Sequence, residues 1–179
     1  MNIVMTGCAG DSGAAWLAEQ YEEQLCRCLP AALVRGVRNC CGALPRYPAA
    51  IGGAEYLLAA QEPCPVSAVL ARPIRCGGLL AALWELAEAA DTGLNVELTR
   101  IPVRQDIIEV CECLDVMPYQ LYSGGWLWFA EGEPAAGGTL IGFTNASRDR
   151  TLTGYGGRRF LNRPPEEELS RLRAGRRLL

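Results

Sequence analysis

The sequence predicts one domain that mixes helices and strands, and three observations carry that expectation. First, Arg72-Pro73-Ile74-Arg75-Cys76-Gly77-Gly78 runs directly into an amphipathic stretch over residues 79–90. There Leu79, Leu83, Leu86 and Ala90 recur at helical spacing, Leu80 and Ala87 widen the stripe, and Glu85 and Glu88 fall on the opposite side. Second, the chain opens in the same order: an apolar run (Ile3-Val4-Met5), glycines at Gly7, Gly10 and Gly13, then a helical pattern. Third, residues 126–130, 139–144, 151–153 and 158–161 are short β-rich runs separated by Gly-rich segments.

At 179 residues, one domain with one substantial core is the default. Half the residues are hydrophobic, as in ordinary folded chains. A net charge of -3 offers no broad attraction to nucleic acid or to an anionic membrane. No apolar run approaches the ~20 residues of a membrane helix. The opening Met1-Asn2-Ile3-Val4-Met5-Thr6-Gly7 lacks the basic and long apolar regions of a secretory signal, so a cytoplasmic location is expected.

Two absences narrow the chemistry. The chain has no histidine and no lysine, so every basic side chain is arginine. Ser-His-Asp and Cys-His systems, a standard phosphate-binding loop and Schiff-base chemistry are thereby excluded. Arginine binds anions but holds its proton, which leaves carboxylate, thiol or tyrosine for proton transfer.

Taken in order, residues 3–5 read as a strand and a helix runs from Gly13 or Ala14 to Cys28, capped by Asp11 or Ser12. Pro30 opens a second helix through Val37. Residues 48–51 and 54–60 are helical, 61–65 form a Pro-rich connector, and 66–70 are a buried strand before the glycine turn. Asp91-Thr92-Gly93 stops the central helix, and 94–98 alternates as a strand. A helix from Gln105 carries Ile107, Val110, Cys111 and Leu114. After the strand at 126–130, the connector 131–138 is too rich in Gly and Pro for a helix. Gly154-Tyr155-Gly156-Gly157 makes a hairpin, residues 164–169 start a last helix, and 171–179 form a frayed tail.

The candidate binding residues sit at the two glycine turns. A glycine turn feeding a helix leaves unpaired N–H groups at the positive end of the helix dipole, which suits an anion. Gly77 and Gly78 with Arg72 and Arg75 form the stronger candidate, and Gly10, Asp11, Ser12 and Gly13 the weaker. The plain alternative is that Gly77 and Gly78 only let the helix pack closely on the sheet. Cys76 is a candidate nucleophile or redox sensor, since a helix N-terminus and two guanidinium groups both lower a thiol pKa. The nine cysteines are odd in number and include no Cys-x-x-Cys, so neither a disulfide framework nor a metal site is expected, and most thiols should be core residues.

From Gly77 onward, Gly77-Gly78-Leu79-Leu80-Ala81-Ala82-Leu83-Trp84-Glu85-Leu86-Ala87-Glu88-Ala89 is followed by Gly93-Leu94-Asn95-Val96, Ile101-Pro102-Val103-Arg104 and Cys111-Glu112. Pro118-Tyr119, Ser123-Gly124, the 126–130 strand, Ile141-Gly142 and Gly156-Gly157-Arg158 follow in turn. In order and spacing this resembles the C-terminal domain of AIR-synthase-related proteins, above all the hydrogenase maturation factors that dehydrate a carbamoyl group. The resemblance implies an α+β fold with helices layered on a mixed β-sheet. It also implies an ATP-binding cleft shared with an N-terminal domain, which is expected to be absent here because Met1 falls at the start of the second domain.

Where the family carries a His-Asp-x-Thr-like run, this chain has Arg72, Pro73, Ile74 and Arg75, and where the maturation factors end in cysteine it ends Arg176-Arg177-Leu178-Leu179. The expectation is therefore a stand-alone domain that requires no cofactor and is not catalytic alone, binding phosphate or ATP at the glycine turn. A homo-oligomer or a separately encoded AIR-synthase-like N-terminal domain is the expected partner. The alternatives are thiol chemistry at Cys76 and a subunit completing a split ATP-dependent enzyme.

Overall fold

The computed structural model describes residues 1–40, 70–75, 77–132, 134 and 137–162. Its centre is a seven-stranded sheet built from β1 (Asn2–Met5), β2 (Ala71–Pro73), β3 (Gly93–Glu97), β4 (Trp126–Ala130), β5 (Thr139–Asn145), β6 (Arg150–Gly154) and β7 (Gly157–Phe160). The strand order is β2-β4-β1-β5-β3-β6-β7, antiparallel throughout except for the parallel pair β3/β6. This is the mixed sheet of the expected α+β class.

The central helix is α4 (Gly78–Ala90), and it lies flat on that sheet. Leu79, Leu80, Leu83 and Leu86 pack among Ile3, Met5, Leu94, Val96, Leu127, Phe129, Ile141 and Leu152, which alternate onto one face of their strands. Glu85 and Glu88 stay exposed, as the helical spacing predicts. On the outer side, Glu88 pairs with Arg150, whose guanidinium stacks 4.1 Å over the Trp84 ring and ties α4 to β6. Asp91, in the left-handed conformation at φ 47°, ends the helix, with Thr92 N–H donating to Ala87 O.

A second core lies among α1 (Asp11–Gln20), α2 (Glu22–Cys28), α3 (Ala31–Arg38) and α5 (Gln105–Cys113), where Leu17, Leu25, Val34, Val37, Ile107, Val110 and Leu114 meet. The single helix expected up to Cys28 is in fact two. Tyr21, at φ -117° and ψ 26°, bends the chain while both flanking hydrogen bonds survive (Tyr21 N–H to Leu17 O, Leu25 N–H to Tyr21 O). The bend lets Leu25 join Val34 and Val37 of α3.

Two further expectations shift. A strand before α4 is described at Ala71–Pro73, and residues 66–69 of the strand expected at 66–70 lie outside the described residues. So do the helices expected at 48–51, 54–60 and 164–169, the connector 61–65 and the tail 171–179. The hairpin turn tightens to Tyr155-Gly156. The expectation that most thiols are core residues fails among the described residues: only Cys111 is buried, while Cys26 and Cys28 are exposed and Cys8, Cys40 and Cys113 are intermediate. Spacing along a helix does not reveal which turn of a short helix faces a neighbour.

Candidate functional site

Both glycine turns press against one segment whose Pro118-Tyr119 and Ser123-Gly124 stand out in the sequence only through the family resemblance. A 3₁₀ turn, Pro118–Gln120, leads through Leu121, Tyr122 and Ser123-Gly124-Gly125 into β4. On one side, a Cβ at Gly10 would lie 2.7 Å from Pro118 O; on the other, a Cβ at Gly78 would lie 2.4 Å from Tyr119 O. Only glycine lets both helix starts approach this backbone so closely. The same segment donates and accepts along its length: Gly13 N–H bonds to Tyr122 O (2.9 Å), Gly10 N–H to Ser123 Oγ (2.6 Å), and Ile74 N–H to Gly125 O (2.9 Å).

The two turns differ in what they leave free. At α1 the amides are already taken, for Ser12 N–H donates to Asp11 Oδ1 (2.6 Å) and Gly13 N–H to Tyr122 O. The helix starts at Asp11 with Gly10 as its left-handed N-cap and no side-chain cap, so neither Asp11 nor Ser12 caps it as expected. Asp11 instead reaches across, its Oδ1 also accepting from Gly124 N–H (3.1 Å) and Ser12 Oγ (3.2 Å). Its carboxylate acts here as an internal clamp between α1 and β4.

At α4, Gly77 (φ 83°) and Gly78 (φ 67°) are both left-handed. Gly78 N–H donates to Arg75 O (2.8 Å) and Ala81 N–H to Gly77 O (3.4 Å); among the described residues no acceptor stands for the amides of Leu79 and Leu80. Gly77, Gly78, Leu79 and Leu80 are buried, and Arg75 is half-buried with no ion pair among the described residues. Arg72, on β2, donates to Ala71 O at 3.0 Å. Cys76 lies outside the described residues.

Around Asp11 the structure gathers Cys8, Cys40, Arg104 and Asp106, a cluster that no local motif announces. Burial, then the Asp11 charge, pushes the Cys8 thiol above its ordinary value in spite of Arg104, so this thiol is not an activated nucleophile. Arg104 is engaged by Asp106, donating through Nε (3.0 Å) and Nη2. Among the described residues, no three His, Cys, Asp or Glu side chains come together to hold a metal ion, and no helix is long and apolar enough to cross a membrane.

Burial also holds the Asp11 carboxyl above its usual 3.8, overriding the amide hydrogen bonds that favour the charge. A raised carboxyl binds its proton more tightly folded than unfolded, so stability falls as pH rises from 3.8 through the folded value. Asp11→Asn should abolish that fall. Denaturation of both proteins across this range should show the variant gaining on the parent as pH rises; a gap moving the other way would refute the burial argument.

No protein-family model matches the chain. Among curated proteins it is 28% identical to the carbamoyl dehydratase HypE of Rhodobacter capsulatus, over 94% of this chain and 49% of that one. Solved structures of similar fold include E. coli HypE (TM-score 0.63, 21% identity, 96% of this chain and 52% of that chain). Another is a HypE in complex with ATP (TM-score 0.63, 17% identity, 93% and 51%). The fold and its glycine-flanked junction thus define a domain of the AIR-synthase fold. Within that fold the chain is a HypE-like domain, and it spans about half the length of the curated relative it matches.

Proposed function

We propose that this chain is a HypE-type domain that is not catalytic on its own and holds a phosphate, or the phosphates of a nucleotide such as ATP, at the N-terminus of α4. The observation that carries the reading is the α4 turn, where the Leu79 and Leu80 amides and the Arg75 guanidinium have no partner among the described residues. Amides at a positive helix end and a guanidinium are complementary to a multiply charged oxyanion. The α1 turn, whose amides are taken internally, is the poorer host. A HypE with ATP bound supports the choice of ligand by analogy. The lack of histidine and lysine supports a binding role over catalysis. We place the chain in the cytoplasm, where ATP is supplied.

Thermal melts of the full chain with phosphate, AMP and ATP test this. A ligand at a hundred times its Kd stabilises by about 2.7 kcal/mol, a Tm rise of roughly 5–11 °C for a chain of this size. Arg75→Ala should diminish the rise. No movement with any of the three at millimolar concentration overturns the reading.

The length relation favours one further reading: the chain completes an ATP-dependent enzyme together with a separately encoded AIR-synthase-like N-terminal domain, or assembles with a second copy. Co-purification of such a domain, with ATP binding appearing only in the complex, distinguishes it from a self-sufficient binder.

A further inference from the structure

The two edges of the sheet are finished differently. At one edge β2 is three half-buried residues long and ends in Pro73, which has no amide to offer a further strand. At the other, all four residues of β7 are exposed, Phe160 to 65%. Leu161 N–H donates to Arg150 O (2.7 Å), and the β6/β7 register then turns the main-chain groups of Gly157 and Arg159 toward β6 as well. Those of Arg158 and Phe160 face outward, where no strand meets them among the described residues. The side chains alternate too. Arg159 stands opposite Leu152, on the α4 face of the sheet, while Arg158 and Phe160 stand opposite Thr153 and Thr151 on the other face. Neither guanidinium has an ion-pair partner among the described residues.

We propose that β7 is a strand-addition site for an extended acidic segment of another protein, which docks antiparallel as an eighth strand. Main-chain hydrogen bonds to Arg158 and Phe160 hold it, and the side chains of β7 select it. Arg158 and Arg159 are consecutive and so point to opposite faces, and two consecutive carboxylates are needed to meet both. An apolar residue just before them lies against Phe160, which the free chain leaves in water. The recognised pattern is therefore apolar-acidic-acidic, read from N- to C-terminus. A second copy of β7 is the poorer occupant, because it would bring four guanidinium groups onto two adjacent short strands.

The test is a fluorescein-labelled, capped hexapeptide, Thr-Val-Glu-Glu-Thr-Val, titrated with the full chain and followed by fluorescence anisotropy. Binding is expected, and it should weaken roughly fivefold between about 50 and 500 mM salt. The double variant Arg158→Gln/Arg159→Gln should weaken it roughly fivefold or more. Both arginines are exposed, so that variant should melt close to the parent. A peptide with lysine in place of both glutamates should not bind. A peptide N-methylated at its first valine and second glutamate, whose amides face β7, should not bind either, which separates strand pairing from charge attraction alone. Amide hydrogen exchange locates the contact: Arg158 and Phe160 should exchange fast in the free chain and roughly tenfold slower with saturating peptide. Amides already slow in the free chain would mean that the chain itself holds the edge or, where the slowing rises with concentration, that a second copy does. Either result overturns the proposal, as does absence of binding at millimolar peptide, or binding that survives N-methylation or the loss of both arginines.

Discussion

Gly78→Ala is expected to destabilise the protein by about 3–5 kcal/mol, among the largest effects of any single methyl group in this chain. Two costs combine. At φ 67° an alanine is held in the left-handed region, which costs about 1–2 kcal/mol. Its Cβ would also stand 2.4 Å from Tyr119 O and 2.7 Å from Gln120 C and Leu121 O, and all three are main-chain atoms that cannot swing aside. Relieving the overlap moves α4 away from the Pro118–Gln120 turn, which also braces Gly10 at the start of α1. Gly132→Ala is the control: its φ of 82° is equally unfavourable, but among the described residues nothing lies within 4 Å of the added methyl, so only the conformational cost of about 1 kcal/mol should appear. Urea denaturation should show a large drop in midpoint for Gly78→Ala, a small one for Gly132→Ala, and unchanged m-values for both. Equal losses would mean that the close approach at Gly78 costs nothing.

The sequence shows α4 and its glycine turn plainly because both signals are local. Leucines at helical spacing need a flat apolar partner, and two adjacent glycines before them need a tight entry. The same holds for α5 from Gln105 and for the β-rich runs from Trp126 onward, which the structure returns almost residue for residue. The bend at Tyr21 is not local in that sense. Nothing in Gln20-Tyr21-Glu22 forbids a continuous helix, and the bend exists because Leu25 gains a place among Val34 and Val37 by turning.

The candidate site divides in the same way. Gly77, Gly78 and Arg75 come from one short stretch and were legible together. The Asp11 clamp onto Gly124 and the Gly10–Pro118 approach join residues more than a hundred positions apart, Gly78 reaches Tyr119 from a separate element, and no spacing rule connects them. Ser123-Gly124-Gly125 gave a faint signal, since two glycines before a strong strand mark a close approach of backbone.

Leu83→Ala is the second large effect, at about 2–5 kcal/mol, and it tests the layer on which the HypE-like assignment rests. Leu83 is fully buried at the middle of α4, in the cluster that includes Ile3, Leu94, Leu127 and Ile141 of the sheet. The sheet holds neighbouring strands by their hydrogen-bond ladder, so it cannot collapse into the vacated space, and the cavity should persist. Glu85→Ala, two residues further on the exposed face, removes a side chain from water and should change stability by no more than about 0.5 kcal/mol. A helix tilted off the sheet would make the two losses alike, and a helix facing solvent would make both small. The contrast therefore measures whether α4 lies flat behind its glycine turn, and the turn can present the Leu79 and Leu80 amides beside Arg75 only if it does. Ligand-induced shifts in Leu83→Ala should retain the size seen in the parent, since the substitution lies one helical turn below the amides; their loss would show that the anion site depends on the packing of α4 and not on its first turn alone.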